Sequence, residues 1–161
     1  MQKRCILCAD PDPELRSNLG FLLAGENCVL EEAAGGATLL TQLRRSTDLV
    51  ILPQQLPDMS GFDACTALRR QSAAPVLFLL EKADESAKTL SFSVGGDDCL
   101  EKPVSCHELA VRVKALLRRY CVYGTRPTGL ERRLRCGGLE VDTAASTVWQ
   151  EGREVPLTEL E

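Results

Sequence analysis

The sequence has no long apolar run near its amino terminus, no excess of positive charge and only one histidine. Five apolar residues, 5–9, precede Asp10, which is too few for a signal peptide or a membrane span. The net charge of −4 argues against a protein that clamps nucleic acid over its whole surface. The single histidine, His107, is expected to be solvent-exposed. We therefore expect a cytoplasmic protein with no membrane partner.

Cysteine, in contrast, is abundant, with eight residues in 161. Disulfides are rare in the cytoplasm, so these cysteines need another explanation. The only CxxC motif, Cys5 to Cys8, lies in an apolar run that predicts a strand, where residues three apart point to opposite faces. This spacing disfavours a shared metal ion. We interpret the cysteines as buried, small hydrophobic side chains and expect no metal site.

Apolar runs and helical periodicities alternate along the first 119 residues. Strands are predicted over residues 4–9, 28–32, 49–52, 75–80 and 99–100, and helices over residues 12–25, 37–45, 61–71, 85–94 and 105–119. The predicted strands are almost wholly apolar, which is typical of a parallel sheet covered on both faces. The expected fold is therefore α/β, a doubly wound (βα)5 parallel sheet. In such sheets the functional site lies at the carboxyl ends of the strands.

The pattern changes after residue 119. Residues 120–133 contain glycine, proline and scattered charges, as a linker does, and short strands follow over 134–136, 139–142, 147–150 and 153–156. These strands predict a small antiparallel β-sheet, which would be marginally stable alone. Thr158 is placed to cap a helix just before the last residue. We therefore expect the chain to be a piece of a longer protein.

Two segments resemble one family. GGDDCLEKPVSCHELAVRVKALLRR, residues 95–119, resembles the end of the receiver domain of OmpR/PhoB-class response regulators. LRCGGLEVDTAASTVWQEGREVPLTELE, residues 134–161, resembles the amino-terminal sheet of the winged-helix DNA-binding domain of the same class. The resemblance implies a receiver-like domain over residues 1–119, a linker over 120–133 and a truncated winged-helix domain over 134–161.

The resemblance also implies a phosphorylation pocket, most of whose functional positions are substituted. The acidic pair that holds Mg²⁺ corresponds to Asp10 and Pro11, with Asp12 one place beyond, the phosphoacceptor to Pro53, the hydroxyl residue to Leu80, the aromatic switch residue to Cys99 and the conserved lysine to Lys102. Proline has no nucleophilic oxygen, so no acyl phosphate can form at position 53. Mg²⁺ prefers an octahedron of hard oxygen ligands, so its binding is expected to be lost or weak.

The expected result is a pocket without catalytic residues in a protein that is not an enzyme. Asp10 and Lys102 are expected to pair with each other. Asp58 and Asp12 are alternative phosphate acceptors, but turn chemistry explains Asp58 and helix capping explains Asp12.

The face used for output keeps more of the family pattern. The resemblance implies a homodimer through helix 4, strand 5 and helix 5, built from charged residues of both signs around an apolar centre. The charged positions are Lys88, Asp97, Asp98, Glu108, Arg112 and Lys114, and the apolar ones are Phe92 and Ala110. A two-fold interface requires such a self-complementary mixture.

The leading hypothesis is an atypical, phosphorylation-independent response regulator whose receiver serves as a dimerisation or regulatory module for a winged-helix domain. The full-length protein is expected to bind DNA, but not this piece, because residues 120–161 carry five arginines against seven acids. A histidine kinase or another regulatory protein is left open as a partner. An adaptor that binds a protein or small ligand is one alternative. A thiol sensor using Cys99 or Cys106 is another.

Overall fold

The computed structural model describes residues 3–123 and the backbone of residues 133–136, 139–142, 147–150 and 153–155. The chain divides into two compact units, Met1–Gly124 and Thr125–Glu161. The segment predicted as a linker, residues 120–133, spans this division.

The first unit is a five-stranded parallel sheet with the strand order β2-β1-β3-β4-β5. The strands are β1 (Arg4–Cys8), β2 (Cys28–Glu32), β3 (Thr47–Pro53), β4 (Val76–Leu80) and β5 (Asp98–Glu101). The helices are α1 (Pro13–Ala24), α2 (Gly36–Gln42), α3 (Gly61–Arg69), α4 (Glu85–Ser93) and α5 (Cys106–Arg118), followed by a π-helical turn at Arg119–Tyr123. The predicted (βα)5 fold is therefore confirmed. Helix α2 ends earlier than predicted because Leu43 is extended, at φ −60° and ψ 122°.

Alternation along the strands builds a core on each face of the sheet. Ile6 and Cys8 of β1 belong to a cluster that also contains buried residues of α1 and α5. Leu7, between them, belongs to a second cluster with buried residues of α2 and α3. Side chains of successive strand residues point to opposite faces, so an apolar strand supplies both cores.

The cysteines in the described part of the chain are all free thiols. Burial raises the pKa of Cys5 to about 11 and that of Cys8 to about 12. It also raises the pKa values of Cys28 and Cys65 above the ordinary value. These four side chains therefore stay protonated and behave as small apolar groups, in keeping with the interpretation of the sequence.

Short polar side chains begin the helices. Asp12 accepts hydrogen bonds from the backbone N–H groups of Glu14 and Leu15, at 2.9 and 3.3 Å. Ser105 accepts one from the N–H of Glu108 at 3.1 Å. Both residues satisfy donors that a helix leaves unpaired in its first turn, as the sequence predicts.

The second unit contains an antiparallel sheet in the order β6-β7-β8-β9. Its strands are β6 (Arg133–Cys136), β7 (Leu139–Asp142), β8 (Thr147–Gln150) and β9 (Arg153–Val155). They agree with the four predicted strands to within one residue at each end. The predicted helix start at Thr158 lies outside the described residues.

In the part of the chain that the structure describes, no helix combines the length and the apolar character needed to cross a bilayer.

The start of α3 provides a test of how tightly the β3–α3 loop is packed. A Cβ atom added to Gly61 would lie 1.9 Å from the carbonyl oxygen of Pro53, so alanine cannot fit without moving backbone. We expect Gly61→Ala to lower the free energy of unfolding by roughly 2–3 kcal/mol, measured by chemical denaturation. Gly25→Ala is the control, because its Cβ would meet nothing within 4 Å. Equal denaturation midpoints for the two variants would contradict this packing.

Candidate functional site

A buried ion pair closes the carboxyl edge of the sheet. Asp10, two residues after β1, has no exposed surface, and its Oδ2 lies 2.7 Å from the Nζ of Lys102, which directly follows β5. The other carboxylate oxygen, Oδ1, accepts a hydrogen bond from the N–H of Asp12 at 2.9 Å. The structure therefore brings together Asp10 and Lys102, as the sequence predicts.

Glu81 is a second partner of Lys102 that the sequence analysis missed. Its Oε1 lies 3.5 Å from Lys102 Nζ. Its backbone N–H donates to the side-chain oxygen of Gln54 at 3.1 Å. Glu81 and Gln54 each follow the last residue of a buried strand, β4 and β3, and polar residues at such positions were the available signal.

The two carboxylates control the ionisation of Lys102, which is only 19% exposed. Burial by itself would lower the pKa of this ammonium group. The hydrogen-bonded charge of Asp10 and the weaker contribution of Glu81 outweigh burial, so the pKa of Lys102 is raised above its usual value. Lys102 therefore stays charged and engaged within its own chain.

Arg16 holds the loop that follows β1. Its Nη1 donates to the backbone oxygen of Asp10 at 2.6 Å, and its Nε pairs with Glu32 of β2, also at 2.6 Å. Pro11 is exposed on this loop. The backbone of Asp10 is thus held by Arg16, while its carboxylate is held by Lys102.

Two cavities flank the ion pair. One, of about 330 Å³, is lined by Asp12, Leu15, Glu81, Lys102, Pro103 and Val104. The other, of about 460 Å³, is lined by Asp10, Pro11, Arg16, Glu32, Ala33, Ala34 and Pro57. Both cavities are open to solvent and have mixed polar and apolar walls.

Three further predicted pocket positions, Pro53, Leu80 and Cys99, offer no side-chain oxygen. Pro53 and Leu80 are fully covered residues at the ends of β3 and β4. The carboxylate of Asp10 is engaged by Lys102 and by the N–H of Asp12, and positions 11 and 53 carry proline.

Asp58 has a structural task. Its Oδ1 and Oδ2 accept hydrogen bonds from the N–H groups of Gly36 and Ala37, both at 2.8 Å, so it caps α2 from a distant loop. These bonds, that of Ala37 first, hold the pKa of Asp58 below its ordinary value. A Cβ at Gly35 would lie 2.7 Å from Asp58 Oδ1, so this approach requires glycine there. Asp12 caps α1 in the same way.

The proposed thiol positions are partly covered. Cys99 on β5 is half-buried and packs against the core on the α2–α3 side of the sheet. Cys106, the first residue of α5, is also half-buried.

The residues expected at a dimer interface divide into two groups. Lys88, Phe92, Glu108 and Arg112 are exposed, and Arg112 lies 3.3 Å from Asp98 within the same chain. The other positions are engaged inside the unit. Ala110 is 4% exposed and belongs to the core beside α1, which corrects the expectation that it contributes an apolar surface.

Asp97 and Lys114 also have partners within the chain. Asp97 pairs with Arg69 at 2.9 Å, and Lys114 pairs with Glu26 at 2.6 Å. Their charges are therefore already balanced in a single protomer. The sequence missed this because Arg69 and Glu26 are distant along the chain.

The fold and site together define a receiver-like α/β unit, and comparisons with known proteins agree. Residues 6–114 match the family model described as the response regulator receiver domain. The chain therefore belongs to the response regulator receiver family.

Curated relatives resemble the chain over nearly its whole length. The transcriptional regulatory protein YrkP of Bacillus subtilis is 35% identical over 156 residues, covering 97% of this chain and 68% of that protein. The DNA-binding response regulator MtrA of Mycolicibacterium smegmatis is 36% identical over 157 residues, covering 97% of this chain and 66% of that protein. The chain thus spans about two thirds of the length of these relatives.

Solved structures share the architecture. DrrB of Thermotoga maritima, an OmpR/PhoB homologue, has a TM-score of 0.66 and covers 98% of this chain and 68% of its own. At 22% identity it shows the fold alone. A two-component response regulator from Clostridium difficile has a TM-score of 0.68 at 25% identity, covering 73% of this chain and 98% of its own.

Removing Lys102 tests the buried pair. Lys102→Met should leave the Asp10 carboxylate buried without its counter-charge and lower the free energy of unfolding by about 3 kcal/mol. Lys88→Met is the control, because Lys88 is exposed on α4 and should change stability by less than about 0.5 kcal/mol. Urea denaturation measures both variants. If Lys102→Met and Lys88→Met lower the free energy of unfolding by similar amounts, the 2.7 Å contact between Lys102 Nζ and Asp10 Oδ2 does not stabilise the fold.

Asp58→Asn tests the cap on α2 through its pH dependence. Because the folded-state pKa of Asp58 is lowered, its ionised form stabilises the fold fully above the ordinary carboxyl value of 3.8. At neutral pH we expect the melting temperature of the wild type to be higher than that of Asp58→Asn. This difference should disappear as the pH falls below 3.8 and passes through the lowered pKa of Asp58. Asp63→Asn, an exposed acid on α3, is the control. A difference in melting temperature that persists at acidic pH would contradict the role of ionised Asp58 as the cap of α2.

Proposed function

We propose that this chain is part of an atypical transcriptional response regulator whose receiver works without phosphorylation. The observation that carries the proposal is the closed Asp10–Lys102 pair next to a proline at the position where receivers carry their phosphoacceptor. In a receiver that responds to phosphorylation, the lysine at the position of Lys102 would have to contact the phosphoryl group. Here the charge of Lys102 is balanced by the buried carboxylate of Asp10.

The charges around the pocket also oppose an anionic donor. Lys102 contacts the carboxylates of Asp10 and Glu81, and Asp12 lines the same cavity, so three acids face one lysine at this part of the carboxyl edge. A phosphoryl donor carries negative charge and would be repelled from such a surface. Mg²⁺ would normally offset this repulsion, but the pocket has only one acid of the metal-holding pair.

The receiver would then act through association. The α4–β5–α5 region exposes apolar side chains, Leu90, Phe92 and Val111, among charges of both signs. A mixture of this kind supports a two-fold homodimer through α4, β5 and α5. Of the predicted interface residues, Lys88, Phe92 and Glu108 are exposed and available for it. Arg112 is also exposed, but it would have to give up its contact with Asp98 to pair across the interface.

The proposed regulator acts on DNA through a winged-helix domain that begins with the antiparallel sheet of the second unit. YrkP is described as a transcriptional regulatory protein and MtrA as a DNA-binding response regulator, which supports this role. It would work in the cytoplasm, with a histidine kinase or another regulatory protein as an additional partner.

A second candidate function is a pseudo-receiver that signals by binding a protein or small ligand. The two cavities beside the Asp10–Lys102 pair favour it, because a ligand there would contact the pair directly. A thiol-sensing version would use Cys99 or Cys106. It fails if peroxide leaves the mass and oligomeric state of the protein unchanged.

Intact-mass spectrometry tests the proposal. After incubation with Mg²⁺ and phosphoramidate, we expect no added phosphoryl group, and light scattering should give twice the 17.6 kDa chain mass before and after treatment. A stoichiometric adduct on the wild type would overturn phosphorylation independence. A monomer at high micromolar concentration would overturn the dimer.

A matched variant shows that the assay can detect phosphorylation on this scaffold. Pro11→Asp, Pro53→Asp and Leu80→Thr together restore the acidic pair, the acceptor and the hydroxyl group. We expect this triple variant to gain one phosphoryl group under the same conditions, while the wild type gains none.

A further inference from the structure

We infer that Tyr120 couples the turn after α5 to the loop between α4 and β5, through a polar junction centred on Asp97. Tyr120 lies in the π-helical turn Arg119–Tyr123, immediately before the first unit ends at Gly124. Asp97 lies immediately before β5. The junction is at the amino-terminal edge of the strands, opposite the Asp10–Lys102 pair, and it goes beyond the proposed function.

Asp97 uses both carboxylate oxygens within the chain. Tyr120 donates its hydroxyl hydrogen to Oδ1. Oδ2 accepts from Arg69 Nη2 at 2.9 Å and from the N–H of Val76 at 2.8 Å. The carboxylate side chain is only 17% exposed, so each of these donors replaces water that it has lost.

Arg69 extends the junction into the α4–β5 loop. Its Nε and Nη2 both donate to the carbonyl oxygen of Gly95, at 2.9 and 2.6 Å, and its Nη1 donates to that of Ala74 at 2.6 Å. Gly95 has φ +103°, and a Cβ there would lie 2.9 Å from Arg69 Nε. The loop is thus shaped to receive the guanidinium group.

Tyr120 is held at both ends. Its ring packs against the core between the sheet and helices α1 and α5. Its hydroxyl is committed to Asp97, and that hydrogen bond raises the pKa of Tyr120. The turn therefore cannot shift without breaking a hydrogen bond to a charged, mostly covered acceptor, which is costlier than breaking one in water.

The junction ties α4 to the point where the chain leaves the first unit. Gly95 follows α4 closely, and Leu90 and Phe92 on that helix are exposed and free to meet a partner. Any partner that displaces the α4–β5 loop acts on Asp97 and, through it, on the Tyr120 turn. Coupling of this kind is reciprocal, so a disturbance at either end must appear at the other.

Hydrogen exchange of the Tyr120→Phe variant tests the inference, because this change removes only the hydroxyl group. We expect the amides of residues 94–97 and those of residues 119–123 to exchange about tenfold faster than in wild type. Exchange in α1 and α2 should stay unchanged. Gly95→Ala disturbs the junction from the other end and should accelerate exchange in residues 119–123.

Ser91→Ala is the matched control. Ser91 is fully buried on α4, and its hydroxyl donates to the backbone oxygen of Lys88 at 2.7 Å, away from Asp97. This variant should leave residues 119–123 unchanged. Faster exchange of Tyr120→Phe in the turn alone would overturn the coupling, as would acceleration throughout the sheet. These measurements need no dimer and no phosphoryl donor, so their outcome is independent of the proposed function.

Discussion

A carboxylate with no exposed surface needs a counter-charge, and the contact between Asp10 and Lys102 meets this need. The two residues follow β1 and β5, so their contact fixes the loops that leave the sheet at both strands. Glu81 and Gln54 add the loops after β4 and β3. The carboxyl edge of the sheet is therefore closed by groups that belong to the protein itself.

The side chains at positions 11, 53 and 80 are chemically compatible with the Asp10–Lys102 pair. Because positions 11 and 53 carry proline, neither adds a carboxylate beside Asp10, so Asp10 is spared the like-charge repulsion that acids there would cause. Leu80 extends the apolar core to the end of β4, where a hydroxyl would require a partner. Proline at positions 11 and 53 and leucine at position 80 are therefore compatible with a buried ion pair at this edge of the sheet.

Much of the fold follows from local pattern. The apolar strands and capped helices predict the (βα)5 order, and Asp12 and Ser105 start helices where the sequence places them. The pairing of Asp10 with Lys102 is also predictable, because both residues follow strands of one parallel sheet. The end of α2 at Gln42 is harder to predict, because it depends on the backbone conformation of Leu43. The burial of Ala110 is also harder to predict, because it depends on packing against elements that are distant in the sequence.

The sequence by itself determined the sheet, its covering helices and the absence of a nucleophile at position 53, because apolar periodicity and side-chain chemistry are local properties. Only the tertiary structure decided which polar groups meet. It paired Asp97 with Arg69 and Tyr120, Lys114 with Glu26, and Asp58 with the start of α2. These partners lie 21 or more residues apart, and their contacts depend on how the fold brings distant helices, turns and loops together.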